Sequence, residues 1–194
     1  MAGGRPVPRA LAGFMLALCA LLPTGSPAAT APPEIGIGHG IDRAERLELR
    51  EKVREMFYHG YNNYLENAFP MDELRPLSCT GHDTLGSYAL TAVDALDTLV
   101  VMGNCSEFER ITRWATTHIS FDMNKTVSVF ETNIRILGGL LSAHLMAADP
   151  TQACFKDPAR PYDGGLLSLA HDLGLRLLPA FNTTTGMPCG PAFP

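Results

Sequence analysis

The sequence lacks the features that define several large functional classes. It has 15 basic and 20 acidic residues and no Lys/Arg cluster, which disfavours nucleic acid or an anionic membrane as the partner. No C-x-x-C or Cys/His spacing suggests zinc. There is no phosphate-binding loop or dinucleotide fingerprint, and neither Ser87 nor Ser142 lies in a nucleophile elbow. The sequence therefore argues against nucleic-acid binding, zinc and nucleotide chemistry, and a serine hydrolase.

Long apolar runs are also missing, apart from one at the N terminus. Arg5 and Arg9 precede the apolar run 10–22, and small residues follow at 26–29. This order predicts a cleaved secretory signal peptide over 1–29. The alternative is an uncleaved signal anchor, although the run is shorter than the roughly 20 residues of a membrane span. Because no second run follows, the mature chain is predicted to be luminal or secreted.

Asparagine sequons and cysteines fit that compartment. Sequons at Asn104, Asn124 and Asn182 are candidate N-glycosylation sites. Four cysteines remain after removal of the predicted signal peptide, and they are Cys79, Cys105, Cys154 and Cys189. They allow three pairings, among which the spacing does not choose, and a bond to a segment that is not in this sequence is a further alternative.

Helical periodicity dominates the chain after a predicted Pro/Gly linker at 30–40, and strand alternation never persists beyond a few residues. The spacing of apolar residues, with capping and stop signals, predicts helices over 42–69, 85–101, 106–114, 127–147 and 165–178. Asp42 with Glu45, and Ser106 with Glu109, have the spacing of capping boxes. The predicted fold class is all-α, with about five helices arranged as helical hairpins of a bundle or an α/α toroid.

The fourth predicted helix has two apolar faces and one narrow polar stripe. Ile136 and Leu140 form one apolar flank, and a longer apolar stripe consists of Phe130, Ile134, Leu137, Leu141 and Leu145. At 100° per residue, the residues that fall together within about 60° of arc are Glu131, Arg135, Gly138 and Ser142. A helix with this much apolar surface is predicted to be buried.

The polar stripe allows two interpretations. A buried carboxylate is costly unless it is paired or functional, and Arg135 lies one turn from Glu131. Periodicity alone favours a structural ion pair that sets the helix register. The functional alternative makes Glu131 a general acid and Arg135 a clamp for a substrate hydroxyl or carboxylate. Gly138 and Gly139 are typical of a helix that something approaches closely.

Carboxylates elsewhere allow less specific interpretations. Asp94 and Asp97 lie on adjacent turns of the second predicted helix and could bind calcium, but calcium needs six to eight oxygen ligands. The favoured alternative is a buried carboxylate that accepts hydrogen bonds from a neighbouring loop. Asp72 and Glu73, which follow Pro70, are predicted to cap the next turn.

Several motifs, in chain order, resemble glycoside hydrolase family 47, the α-1,2-mannosidases. The most specific is the run 128–144, Ser-Val-Phe-Glu-Thr-Asn-Ile-Arg-Ile-Leu-Gly-Gly-Leu-Leu-Ser-Ala-His. The other matching segments are 56–79, 93–99, 177–181 and 185–188. The version Cys-Thr-Gly-His-Asp-Thr at 79–84 is most similar to the endoplasmic reticulum degradation-enhancing mannosidase-like branch.

This resemblance implies an incomplete (α/α)7 barrel, with residues 41–190 as the N-terminal portion of the mannosidase domain and 191–194 as a divergent tail. It implies inverting hydrolysis of terminal mannose on Asn-linked high-mannose glycans of misfolded glycoproteins, in the endoplasmic reticulum lumen. Glu131 matches the position of the proposed general acid, and Arg135 that of a sugar-contacting arginine. Calcium is the implied cofactor.

The chain departs from the family pattern near its end. Cys189 stands where the family has an aromatic residue, and the segments that carry the base carboxylates and a calcium-binding threonine are not in this sequence. We therefore expect the chain alone to be inactive, and its open apolar faces to cause aggregation or chaperone retention. The alternative function is a non-catalytic factor that binds glycans or unfolded clients, and Cys79 could form a disulfide with a partner.

Overall fold

A computed structural model of the protein describes residues 40–152, 154–188 and 191–192. The predicted signal peptide, the predicted linker up to residue 39 and Cys189 lie outside the described residues. The helices are α1 (Arg43–Asn67), α2 (Leu90–Asp94), α3 (Leu96–Val101), α4 (Cys105–His118), α5 (Val129–Glu131), a π-helix (Thr132–Leu137), α6 (Gly138–Ala148), α7 (Gly165–Leu177) and a 3₁₀ turn (Leu178–Phe181). In this part of the chain, no helix combines the length and the apolar character that a bilayer crossing requires.

Two short antiparallel strand pairs accompany the helices. Strand β1 (Glu73–Arg75) pairs with β2 (Thr80–His82), with Glu73 opposite His82. Strand β3 (Val127–Ser128) pairs with β4 (Pro191–Ala192). Strands of two or three residues leave no alternation in the sequence, so the periodicity analysis did not predict them.

The predicted helix ends agree with the structure where a clear signal marks them. Helix α1 begins one residue after Asp42 and ends before Pro70. Helix α7 passes into the 3₁₀ turn that contains Pro179, as its stop signal predicts. The prediction that Ser106 and Glu109 form a capping box was wrong. The cap of α4 is Asn104, whose side-chain oxygen accepts the Glu107 N–H at 3.2 Å.

The prediction of one continuous helix over 85–101 was also wrong. The helix starts only at Leu90 and is interrupted at Ala95 between α2 and α3. The preceding loop contains positive φ angles at Gly86 (113°), Ser87 (66°) and Ala89 (54°). Left-handed backbone is unfavourable for residues with a Cβ, so an interaction outside the segment has to compensate for it.

That interaction is a carboxylate cage around Asp72, a residue with no exposed surface. The Asp72 carboxylate accepts five backbone N–H groups at 2.7–3.2 Å, those of Thr84, Leu85, Ser87, Tyr88 and Leu90. We call these five donors and their acceptor the Asp72 cage. Hydrogen bonds to a charged acceptor are roughly twice as strong as neutral ones. The prediction that Asp72 caps the next turn was therefore wrong, because its carboxylate holds the loop 84–90 instead.

Backbone contacts extend the cage on both sides. The Asp72 carbonyl accepts the Thr91 N–H at 2.9 Å and the Thr91 hydroxyl at 2.7 Å. The Tyr64 hydroxyl donates to the Met71 carbonyl at 2.8 Å, next to Asp72. Burial raises the pKa of Tyr64, which keeps this phenol neutral and able to donate. The end of α1, Asp72 and the start of α2 are thus tied together.

The core lies beneath α1 and between α3, α4, α6 and α7. Tyr61 and Tyr64 are the buried residues of α1, and Tyr64 meets Phe69 edge-to-face with centroids 6.1 Å apart. Phe69 then contacts Trp114 of α4 at 4.7 Å. Fully buried side chains on the other helices include Leu96, Leu99, Phe108, Ile111, Ile136, Leu140, Leu166 and Leu173. This core fixes helices α2 to α7 against one another.

A disulfide links Cys105, at the start of α4, to Cys154 in the segment that follows α6. This is one of the pairings that the sequence left open. Cys79 is a free, exposed cysteine in the turn between β1 and β2. A covalent link across 49 residues restricts the unfolded chain and so favours the folded state.

The continuous helix 129–148, formed by α5, the π-helix and α6, buries the flank that contains Ile136 and Leu140. The prediction that the longer apolar stripe is also buried was wrong, because Phe130 is 70% exposed and Leu145 is 69% exposed. Both faces are apolar, so periodicity does not select the one that packs. The π-helix also has more residues per turn, which shifts the faces on its two sides relative to each other.

We expect Asp72→Asn to destabilise the protein by roughly 3 kcal/mol or more, because an amide cannot accept five N–H groups and leaves buried donors unpaired. The matched control is Asp83→Asn. The exposed Asp83 carboxylate accepts a single backbone N–H, from Asp72, at 3.2 Å, so its loss should cost less than about 1 kcal/mol. Urea unfolding of the protein expressed from its full coding sequence measures both. Equal shifts for the two variants would contradict the role of the cage.

The exposed apolar stripe predicts self-association of the 194-residue chain expressed alone. Burial of a large apolar side chain contributes about 1.5–3 kcal/mol, so the double variant Phe130→Ser/Leu145→Ser should weaken association by at least about tenfold. Leu77→Ser, at a fully exposed turn position, is the control. Light scattering coupled to size-exclusion chromatography gives the mass. A wild-type chain that runs as a monomer and melts cooperatively would contradict this expectation.

Candidate active site

The site is built on the first turns of helix 129–148. Strand β3 ends at Ser128, whose hydroxyl accepts the Glu131 N–H at 3.3 Å and so caps the helix. This cap places Glu131 in the first turn, with 43% of its side chain exposed. The carboxylate is therefore half-buried and open to a ligand, whereas the sequence predicted that the helix as a whole is buried.

The π-helix sets the relation between Glu131 and Arg135. Its last hydrogen bond runs from the Gly138 N–H to the Asn133 carbonyl, five residues earlier. Arg135 lies inside this segment, and its Nη1 atom is 4.0 Å from Glu131 Oε2. Single-turn π segments inside α-helices are frequent at functional sites. The structure thus brings together the two residues that the sequence analysis singled out.

Arg135 has closer partners than Glu131. Its Nε donates to Asp94 Oδ2 at 3.0 Å, and its Nη1 is 3.6 Å from Glu73 Oε1. The ion pair with Glu131, the structural interpretation of the stripe, is therefore the longest of three carboxylate contacts. We call Glu73, Asp94, Glu131 and Arg135 the Arg135 cluster. It carries three acidic groups and one basic group, all partly exposed.

Sequence reasoning missed the contribution of Glu73. It lies on β1, in a hairpin that periodicity did not reveal, 58 positions before Glu131 in the sequence. The available signal was its position immediately after Asp72. Because the Asp72 cage fixes the entry to that hairpin, the neighbouring carboxylate is held near α2 and helix 129–148.

Asp94 and Asp97 face helix 129–148. The prediction that these carboxylates accept hydrogen bonds from a neighbouring loop was therefore wrong. Asp94 accepts from Arg135, and Asp97 Oδ2 accepts the Ser142 hydroxyl at 3.0 Å. The three-residue spacing of the two carboxylates puts both on the same side of the α2–α3 segment. The two acids therefore contact the polar stripe of the neighbouring helix at two successive levels.

Gly139 allows these two segments to approach closely. A Cβ built on it would lie 3.3 Å from both the side chain and the carbonyl oxygen of Val93. Val93 immediately precedes Asp94, so this contact brings the Asp94 carboxylate within reach of Arg135. The expected close approach at the glycine pair is thus confirmed for Gly139, whereas a Cβ at Gly138 would meet only the Asn133 carbonyl at 3.5 Å.

The donor set for the implied calcium ion does not come together here. Among residues 40–152 and 154–188, no three His, Cys, Asp or Glu side chains are placed so that they could hold a metal ion. Asp94 and Asp97 are hydrogen-bonded to Arg135 and Ser142 instead. The described residues therefore do not fit calcium.

The candidate modification sites lie apart from the Arg135 cluster along the chain. Asn124 and Asn182 are exposed. Asn104 is partly buried, caps α4 with its oxygen and donates through Nδ2 to the Tyr58 hydroxyl at 3.1 Å. Cys79 is exposed, with its sulfur 3.8 Å from the Pro76 carbonyl.

Comparison with known proteins gives consistent matches. The family model "Glycosyl hydrolase family 47" matches residues 56–192. The human ER degradation-enhancing alpha-mannosidase-like protein 2 is 50% identical over 175 residues, covering 89% of this chain and 28% of that protein. The Arabidopsis thaliana protein Alpha-mannosidase I MNS4 is 54% identical over 154 residues, covering 79% of this chain and 24% of that protein.

A solved structure agrees in fold. The alpha-1,2-mannosidase from Trichoderma reesei superposes with a TM-score of 0.65 and 33% identity, over 74% of this chain and 30% of that protein. The chain thus spans less than a third of the length of these relatives. The family match, the identities and the helical fold together show that the chain belongs to glycosyl hydrolase family 47, a glycosidase family, and contains part of its (α/α)7 barrel.

Proposed function

We propose that the protein removes terminal α-1,2-linked mannose from Asn-linked high-mannose glycans, with Glu131 as the general acid and Arg135 as a substrate-binding residue. The observation that carries this proposal is the half-buried Glu131 carboxylate 4.0 Å from the Arg135 guanidinium. The names of the relatives, mannosidases and mannosidase-like proteins, support the substrate class.

Glu131 supplies a proton in this proposal. Inverting glycosidases protonate the glycosidic oxygen with one carboxyl group while a second carboxylate, about 6.5–9.5 Å away, activates water on the opposite face of the sugar. The Glu131 Oε–H transfers its proton to the leaving oxygen as the C–O bond breaks, and the bonding electrons stay on that oxygen. Glu73 and Asp94 are both directed at Arg135, so among the described residues we assign no base.

Arg135 orients the sugar in this proposal. A guanidinium has five N–H donors in a rigid planar arrangement, which suits pairs of vicinal hydroxyls. Among the described residues, the one hydrogen bond that the Arg135 side chain donates is the bond from Nε to Asp94. The terminal nitrogens can therefore donate to sugar hydroxyls beside the Glu131 carboxyl group.

The setting we propose is the endoplasmic reticulum lumen, with misfolded glycoproteins as substrates. The human relative is named as an ER degradation-enhancing protein, and the predicted signal peptide and sequons agree with that compartment. Exposure of Asn124 and Asn182 supports glycosylation there more directly than the engaged side chain of Asn104 does. The exposed thiol of Cys79 remains the proposed position for a disulfide with a partner.

Glu131→Gln is expected to lower mannose release by about 10²–10⁴-fold, because the amide cannot donate an acidic proton to the leaving oxygen. The fold should be unaffected, because the Ser128 cap bonds to the backbone N–H of Glu131 and not to its side chain. The measurement is the rate of mannose release from a high-mannose glycan by the protein expressed from its full coding sequence. Glu55→Gln, at an exposed position of α1, is the matched control and should leave the rate unchanged.

The same experiment separates the proposal from a purely binding role. A non-catalytic factor would release no mannose before substitution, and its capture of the glycan would survive Glu131→Gln. An unsubstituted protein that releases mannose at the same rate as the Glu131→Gln variant would overturn the assignment of the general acid.

A further inference from the structure

Asp94 is the only hydrogen-bond acceptor for the Arg135 side chain among the described residues. The contact joins Asp94 Oδ2 to the Nε atom at 3.0 Å, close to the branching point of the guanidinium. A bond at Nε fixes the plane of the group, because rotation of the fork would break it. The Nη1 atom lies 3.6 Å from Glu73 Oε1 and 4.0 Å from Glu131 Oε2.

We propose that Asp94 is a positioning residue of the active site, which sets the guanidinium plane of Arg135 so that it presents its terminal nitrogens to substrate beside Glu131. This inference rests on the proposed function. It assigns a task to a carboxylate whose role the sequence left open between a calcium ligand and an acceptor for a neighbouring loop. Asp94 itself does not touch the sugar.

The competing explanation is that Asp94 merely ties the α2–α3 segment to helix 129–148. The chain contains a control for that explanation, because Asp97 also links the α2–α3 segment to helix 129–148, one turn further along, by accepting the Ser142 hydroxyl. If tethering is what matters, loss of either carboxylate should have the same effect. If orientation of Arg135 matters, only Asp94 should affect sugar binding.

The placement of Asp94 has identifiable supports. The Asp72 cage fixes the N terminus of α2 through the Leu90 N–H at 3.2 Å. Gly139 lets the Val93 backbone approach helix 129–148. Asp94 is thus held at a defined position although its side chain is 40% exposed, as orientation of a ligand-binding group requires.

The experiment measures binding of α-1,2-linked mannobiose by calorimetry in the protein expressed from its full coding sequence. All variants carry Glu131→Gln, so that no turnover occurs. Asp94→Asn should weaken mannobiose binding by at least about tenfold, whereas Asp97→Asn should change it by less than about twofold. Thermal unfolding of both variants confirms that they remain folded.

A second pair of variants tests whether Asp94 acts through Arg135. Arg135→Lys keeps the positive charge but removes the Nε donor and the fork, so it should weaken binding about as much as Asp94→Asn. In the Arg135→Lys background, Asp94→Asn should add nothing, because the interaction that it breaks is already lost. If Asp94→Asn proves unstable, Asp94→Glu replaces it in the same comparison. Because it keeps the carboxylate, Asp94→Glu should retain part of the affinity for mannobiose.

The inference is overturned if Asp94→Asn and Asp97→Asn weaken binding equally, or if Asp94→Asn weakens it further in the Arg135→Lys background. These results leave the proposed function intact when the unsubstituted protein releases mannose. A protein that binds mannobiose in an Asp94-dependent way but releases no mannose would refute the proposed catalysis alone. A protein that neither binds nor cleaves would refute both.

Discussion

The buried Asp72 carboxylate is the interaction on which the rest of the structure depends. A charged group without solvent contact is costly unless its oxygens are satisfied, and five backbone N–H groups from 84–90 satisfy both. In return, the carboxylate holds a loop whose backbone enters the left-handed region at Ser87 and Ala89. No regular element would direct five N–H groups of the segment 84–90 at one carboxylate, because a helix directs its N–H groups along its own axis.

The geometry of the candidate active site depends on that cage. The cage determines where α2 begins, and α2 carries Asp94 to the surface of helix 129–148. There Gly139 permits close packing, and Asp94 meets Arg135 at 3.0 Å. The Ser128 cap and the π-helix then place Glu131 and Arg135 on one side of their helix. Two polar stripes from different segments thus form one cluster, with Glu73 added by the adjacent hairpin.

Sequence patterns predicted the parts of this arrangement that depend on local spacing. The polar stripe with Glu131 and Arg135, the ends of α1 and α7, and the all-α class follow from periodicity and stop signals. The segment 85–101 was predicted poorly, because Leu85, Ser87 and Tyr88 donate to Asp72. This partner lies 13 or more positions away, so no local window of sequence contains its effect. The packed face of helix 129–148 was equally ambiguous, since both of its faces are apolar and only tertiary contacts select one.

Backbone amide hydrogen exchange over 84–90, resolved residue by residue by NMR, tests the central role of Asp72 most directly. The account predicts slow exchange at all five donor amides, because exchange there requires opening of the cage. These include the amides of Leu85 and Tyr88, which precede α2. It also predicts fast exchange at Gly86, whose N–H is not a donor to Asp72. Uniformly fast exchange over the whole loop would contradict the account.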